Sequence, residues 1–169
     1  QPYSSFGGRS AEKEDTFYCR VAERLSHKQR AGSARDVECL LLEQFPKLYR
    51  VKCLPADQQL HNPGMLPGQV EVIVLPNLRG RLPQDPLQPR LPVAELDRMS
   101  AWLQACGPQA ARYRVRNARF LPLKVEASLR LHPGYDAAYY LQQLDAELIR
   151  YLSPWAFDDN ADIRFGGTV

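Results

Sequence analysis

The stretch LYRVKCLPADQQLHNPGMLPGQVEVIVLP, residues 48–76, decides the fold class. At its start Tyr49, Val51 and Cys53 alternate with Arg50 and Lys52, and at its end Val70, Val72 and Val74 fall on one side. Both are the period of a half-buried strand. The residues between them hold three prolines and two glycines and read as a long, protruding hairpin loop that presents His61 and Met65. Two successive strands with no helix between them break the strict β-α-β alternation of a parallel sheet. They point instead to an α+β layout with an antiparallel or mixed sheet.

Upstream, Ser10 reads as an N-cap and Glu12, Glu14 and Asp15 load a first turn with acid. Phe17, Val21 and Leu25 then recur every four residues, which predicts a helix over 11–28 ending in the basic HKQR. After the turn AGS, Ser33 with Asp36 three residues on has capping-box spacing, and Val37, Leu40, Leu41 and Phe45 form the stripe of a second helix that Pro46 stops. Residues 1–46 are thus a lead-in plus a helical hairpin, and 47–169 an α+β domain.

Downstream of Pro76, Pro83, Pro86, Pro89 and Pro92 recur every third residue, the period of a polyproline II helix. They predict a stiff, exposed arm carrying Arg79, Arg81 and Arg90. Leu96, Met99, Leu103 and Cys106 have helical spacing, so a third helix covers 93–105. RYRVRN sets Tyr113 and Val115 against Arg112, Arg114 and Arg116, an edge-strand pattern. LPLKVEASLRLH, residues 121–132, is the clearest alternation in the chain and predicts a further strand. From Asp136 the stripe Leu141, Leu144, Leu148 and Leu152 marks a fourth helix, and Ile163 and Phe165 give the tail a strand-like end. The expected architecture is a small sheet with the helical hairpin at one side and two further helices covering it.

Composition narrows the function. The chain has 169 residues, 22 basic against 19 acidic, and 44% hydrophobic residues, which is ordinary globular usage with a charge too mild to imply a nucleic-acid or anionic-membrane partner. No apolar run approaches the roughly 20 residues of a membrane span. Glycine-rich phosphate loops and the G-x-S-x-G elbow do not occur, and His27, His61 and His132 are too isolated for zinc spacing and read as solvated or capping residues. Cys19, Cys39, Cys53 and Cys106 each sit at a semi-buried position of a periodic segment, as reduced thiols do. Asp158, Asp159 and Asp162 resemble the start of a calcium loop but lack its glycine and closing glutamate. No cofactor, metal site or catalytic residue is therefore expected. The helical hairpin has the size of a helix-turn-helix and leaves a nucleic-acid reading open, although its second helix offers Asp36, Glu38 and Glu43 against Arg35 alone.

The stretch RVAERLSHKQRAGSARDVECLLLEQFPKLYRVKCL resembles the baseplate J-like proteins of contractile phage tails and contractile injection systems. The likeness rests on Phe6, Gly7 and Gly8, on His27, Lys28, Arg30 and Ala31, on Asp36, and on Phe45, Pro46, Val51, Lys52, Cys53 and Leu54. It continues through PGQVEVIVLPNLR, PLQPR, VRNARFLPLKVEASLRLHPGYD and LSPWAFDDNADIRFGG. The resemblance implies a structural wedge component that meets other wedge subunits, sheath and spike or hub proteins, assembled in the cytoplasm before joining the particle. It also implies that the 169 residues are a domain of a longer subunit. It brings no catalytic residue and no cofactor. On exposure and charge, the expected partner contacts are Arg79, Arg81 and Arg90 on the arm, His61 and Met65 in the loop, and Arg112, Arg114 and Arg116 on the edge.

Overall fold

The computed structural model describes residues 14–54, 68–78 and 85–157. The elements run α1 (Glu14–His27), α2 (Ala34–Gln44), β1 (Leu48–Leu54), β2 (Gln69–Pro76), α3 (Val93–Cys106), β3 (Arg112–Asn117), α4 (Ala137–Leu152) and the short α5 (Pro154–Phe157). Among the described residues the three strands form one sheet in the order β1-β2-β3. β1 and β2 are the expected antiparallel pair, with Val51 opposite Val74 and Cys53 opposite Val72. β3 lies parallel to β2, with Val115 opposite Val72, so the sheet is mixed and the class is α+β.

One face of the sheet makes the core. Val51, Cys53, Val72, Val74 and Val115 meet Val37, Leu40 and Leu41 of α2 and Leu96, Met99 and Leu103 of α3. Helix α2 lies against β1 and α3 against β3, so each helix covers one side of the same apolar layer. Phe45 and Trp102 close the space between the two helices, edge to face at 5.9 Å. The return from α3 into β3 needs glycine, because a Cβ at Gly107 would collide with the Tyr113 ring. That ring's hydroxyl donates to the Ala31 carbonyl at 3.1 Å and ties β3 to the α1–α2 turn.

The capping box read from Ser33 and Asp36 is present in both directions: the Asp36 amide donates to Ser33 Oγ at 3.2 Å, and the Ser33 amide to Asp36 Oδ2 at 2.9 Å. Ser33→Ala removes one of these two bonds at the start of a helix whose buried face is part of the core. It should lower stability by about 1 kcal/mol, read as a drop in Tm.

The sequence reading and the structure part at several places. Residues 121–132 form no strand: every one is exposed, and no ladder joins them to the sheet. Alternation gives a segment the shape of a strand but supplies no partner. Helix α4 forms with Asp136 as its N-cap but buries none of its residues, so α2 and α3, not α3 and α4, cover the sheet. The proline arm is not wholly exposed: Pro89 and Leu91 are buried, held where Asn117 Oδ1 accepts the Leu91 amide at 2.8 Å and Asn117 Nδ2 donates to the Leu91 carbonyl at 2.9 Å. Cys19 is exposed on α1, not semi-buried, and His27 is buried, not solvated, its Nδ1 accepting the Gln29 amide at the helix end. The expected Ser10 cap, the 158–162 acidic cluster and the strand-like tail lie outside the described residues.

Candidate interaction surface

On each open edge of the sheet one outward amide donates to a helix side chain. On β1, the Cys53 amide, which points away from β2, donates to Glu38 Oε1 of α2 at 2.9 Å, and Lys52 Nζ pairs with the same carboxylate at 3.5 Å. On β3, the Val115 amide donates to Ser100 Oγ of α3 at 3.1 Å. An unpaired strand edge is the usual route to uncontrolled pairing, and a side chain seated on it hinders pairing at that position. Glu38 is thereby engaged at the β1 edge, while Glu43 stays exposed and lies near Arg24 and His27 of α1.

The face of the sheet away from α2 and α3 carries Arg50 and Lys52 from β1 and Arg112, Arg114 and Arg116 from β3, around Glu71 in the central strand. Glu71 is buried, and Arg116 closes on its carboxylate, with Nη2 donating to Oε2 at 3.1 Å and Nε lying against Oε1. Such a pair satisfies a carboxylate that would otherwise be stranded away from water. Arg112 and Arg114 are exposed, as is Arg90 beyond the buried Pro89. Of the anticipated contact residues, Arg112, Arg114 and Arg116 thus share one face, Arg90 stands apart on the arm, and His61, Met65, Arg79 and Arg81 lie outside the described residues.

A second surface was missed as a surface because its residues read as core. Leu121, Leu123, Val125, Leu129 and Leu131 project from an extended segment, and Tyr139, Tyr140, Leu141 and Ile149 from α4, all exposed. The segment and helix meet again at their far ends, where Phe120 packs on Trp155 at 5.3 Å and Trp155 Nε1 donates to the Leu87 carbonyl at 3.1 Å. No signal in the sequence separates an apolar stripe that packs within the domain from one that waits for something else.

An open cleft of about 810 Å³ lies between the α1–α2 turn and the end of α3, with Leu40, Trp102 and Cys106 on its walls and Arg24, Arg30 and Glu43 at its rim. It gathers no nucleophile–base pair. Among the described residues no three His, Cys, Asp or Glu side chains come together as a metal site, and no helix is long and apolar enough to cross a membrane. All four cysteines are free. Burial, reinforced by the Glu38 carboxylate and opposed by Lys52, pushes the Cys53 thiol up from 9.0 to about 11. At pH 8 it is then about one part in a thousand thiolate, so iodoacetamide should label exposed Cys19 readily and Cys53 only on unfolding, as peptide mass mapping would show. The sign for stability follows from the same shift. The unfolded thiol ionises first, so the contribution of Cys53 is intact below about pH 9 and is lost as the pH rises toward 11.

Comparison with known proteins sets this architecture in context. No curated protein matches the chain significantly. Among solved structures, a chain in the cryo-EM structure of the anti-feeding prophage (AFP) baseplate, 6-fold symmetrised, is similar to it at 27% identity and a TM-score of 0.63. That match covers 92% of this chain and 32% of the solved one, so the chain spans about a third of the length of the baseplate protein it matches. The model of the family described as baseplate protein PVC11-like matches residues 1–169. The α+β domain with its cationic sheet face and its exposed apolar segment before α4 therefore belongs to the PVC11-like family of baseplate proteins.

Proposed function

We propose that this chain is a joint within the baseplate of a contractile, phage-tail-like injection machine, holding neighbouring wedge subunits by protein contacts and performing no turnover. The observation that carries the reading is the agreement of two likenesses, the PVC11-like family match over residues 1–169 and the fold shared with a baseplate chain over 92% of the present chain. The narrower likeness to baseplate J-like proteins, based on the quoted motifs, fits the same role. Sheath and spike or hub proteins are the further partners this role implies, with assembly in the cytoplasm before the particle is complete.

Arg112 and Arg114 are the contacts with the best support, since both are exposed on one sheet face and, among the described residues, have no acidic partner there once Arg116 has closed on Glu71. Arg90 on the arm is a separate contact, and Arg79, Arg81, His61 and Met65 remain candidates on sequence grounds. The test is Arg112→Glu with Arg114→Glu in the full-length subunit, produced in a host from which the native gene has been deleted. The double variant should keep its Tm within about 2 °C, because exposed charges carry little stability. Complete particles seen by electron microscopy should fall at least about tenfold, since like-charge juxtaposition at an interface costs several kcal/mol. Particle yields equal to wild type would remove this face from the assembly contacts.

A further inference from the structure

We infer that the cleft at the α1–α2 turn receives Phe157, and the acids that follow it, from a second copy of this chain, so that copies join head to tail. The cleft, about 810 Å³, has Leu40 and Trp102 on its apolar wall and Arg24 and Arg30 at its rim, a size that takes an aromatic side chain with its neighbours. Trp102 rests on Phe45 and is half-buried, which leaves part of the indole to the cleft. The turn beside it is held in a set shape. Lys28 and Gln29 both have left-handed backbone, φ 45° and 58°, which residues other than glycine keep only where their surroundings impose it. The Lys28 amide donates to the Arg24 carbonyl, the Gln29 amide to His27 Nδ1, the Arg30 amide to the His27 carbonyl, and the Ala31 amide to the Cys106 carbonyl of the opposite wall. Lys28 and Arg30 are exposed on this turn and, among the described residues, neither is paired with an acid. Glu43, the acid among the lining residues, lies 3.8 Å from Arg24.

An aromatic side chain followed by acids suits such a cleft, and the chain itself carries one. Phe157 ends α5 with 51% of its surface exposed, the Arg150 guanidinium 6.0 Å from its ring, and Asp158 and Asp159 follow it directly in the sequence. An exposed ring with carboxylates beside it complements an apolar wall rimmed by uncommitted cations. The two halves lie at opposite ends of the sheet. The cleft adjoins the start of β3, where the Tyr113 hydroxyl reaches the Ala31 carbonyl. Helix α5 adjoins the far end of β3, where Trp155 packs on Phe120. The six residues of β3 set these ends roughly 17 Å apart, so Phe157 fills the cleft of another copy and not its own. A contact between two different patches repeats from copy to copy and closes into a ring where the rotation allows. This goes beyond the baseplate reading and does not depend on it.

Sedimentation velocity of the full-length subunit tests the two halves of the contact separately. The wild type should associate increasingly as its concentration rises from about 1 to about 100 μM. Lys28→Glu with Arg30→Glu spoils the cleft, and Phe157→Ser with Asp158→Ser spoils the anchor; each pair should weaken self-association at least about tenfold. An equimolar mixture of the two variants should form a dimer that grows no further, because one intact cleft then meets one intact anchor. That recovery would also show that both variants are folded. Sedimentation of the wild type that does not change with concentration overturns the inference, as does either variant associating like the wild type or a mixture that stays monomeric. Electron microscopy scores the baseplate reading separately: a subunit that joins head to tail but never enters particles supports this contact and sinks the baseplate role, and one that enters particles without associating this way does the reverse.

Discussion

Leu103→Ala is expected to lower the unfolding free energy of the domain by about 3–5 kcal/mol, close to what a domain of this size can lose and remain folded. Leu103 has no exposed surface and lies on α3 among Met99, Leu96 and the strand residues Val72, Val74 and Val115. Truncation removes its transfer free energy and leaves a void that two strands and a helix cannot all close at once. The same substitution at Leu25, 67% exposed on α1, should change stability by less than about 0.5 kcal/mol. Urea denaturation of both variants measures the difference. Equal midpoints would mean that α3 does not pack as described.

The second large effect is expected at Arg116. Its removal leaves the Glu71 carboxylate at 4% exposure in the middle strand with no cation closing on it. The loss should be about 2–4 kcal/mol, below the full range for a deeply buried pair because the Arg116 side chain is 37% exposed and water can partly replace it. Adding Glu71→Ala to Arg116→Ala should restore at least about 1 kcal/mol, since most of the single-variant cost is the stranded charge and not a lost attraction. Strict additivity of the two substitutions would show that the pair is not coupled.

What the sequence reveals and what it hides divide along one physical line. Features set by neighbours in the chain are legible: the Ser33–Asp36 box, the alternation of β1 and β2, the stripes of α2 and α3, and the start of α4 at Asp136 all stand. Features set by what arrives from elsewhere are not. Residues 121–132 have the strongest strand pattern in the chain and no strand, because pairing belongs to two segments and the pattern to one. Glu38 looks like a surface acid on a helix, and only the packing of α2 beside β1 brings its carboxylate to the Cys53 amide. Pro89 and Leu91 sit in a run whose spacing signals an extended arm, yet Asn117, 26 residues from Leu91, draws that run onto the sheet. The anticipated arginines divide the same way: alternation put Arg112, Arg114 and Arg116 on one face, but nothing local shows that Arg116 is committed to Glu71 while the other two are not.

The most direct test of the central claim is to tag the full-length protein in its native host, purify it gently, and examine the eluate by mass spectrometry and cryo-electron microscopy. The account predicts tail-shaped particles carrying sheath and spike proteins, with density for this α+β domain in the baseplate at one end. A free protein that brings down no particle, or one that brings down nucleic acid with salt-dependent affinity, would contradict it.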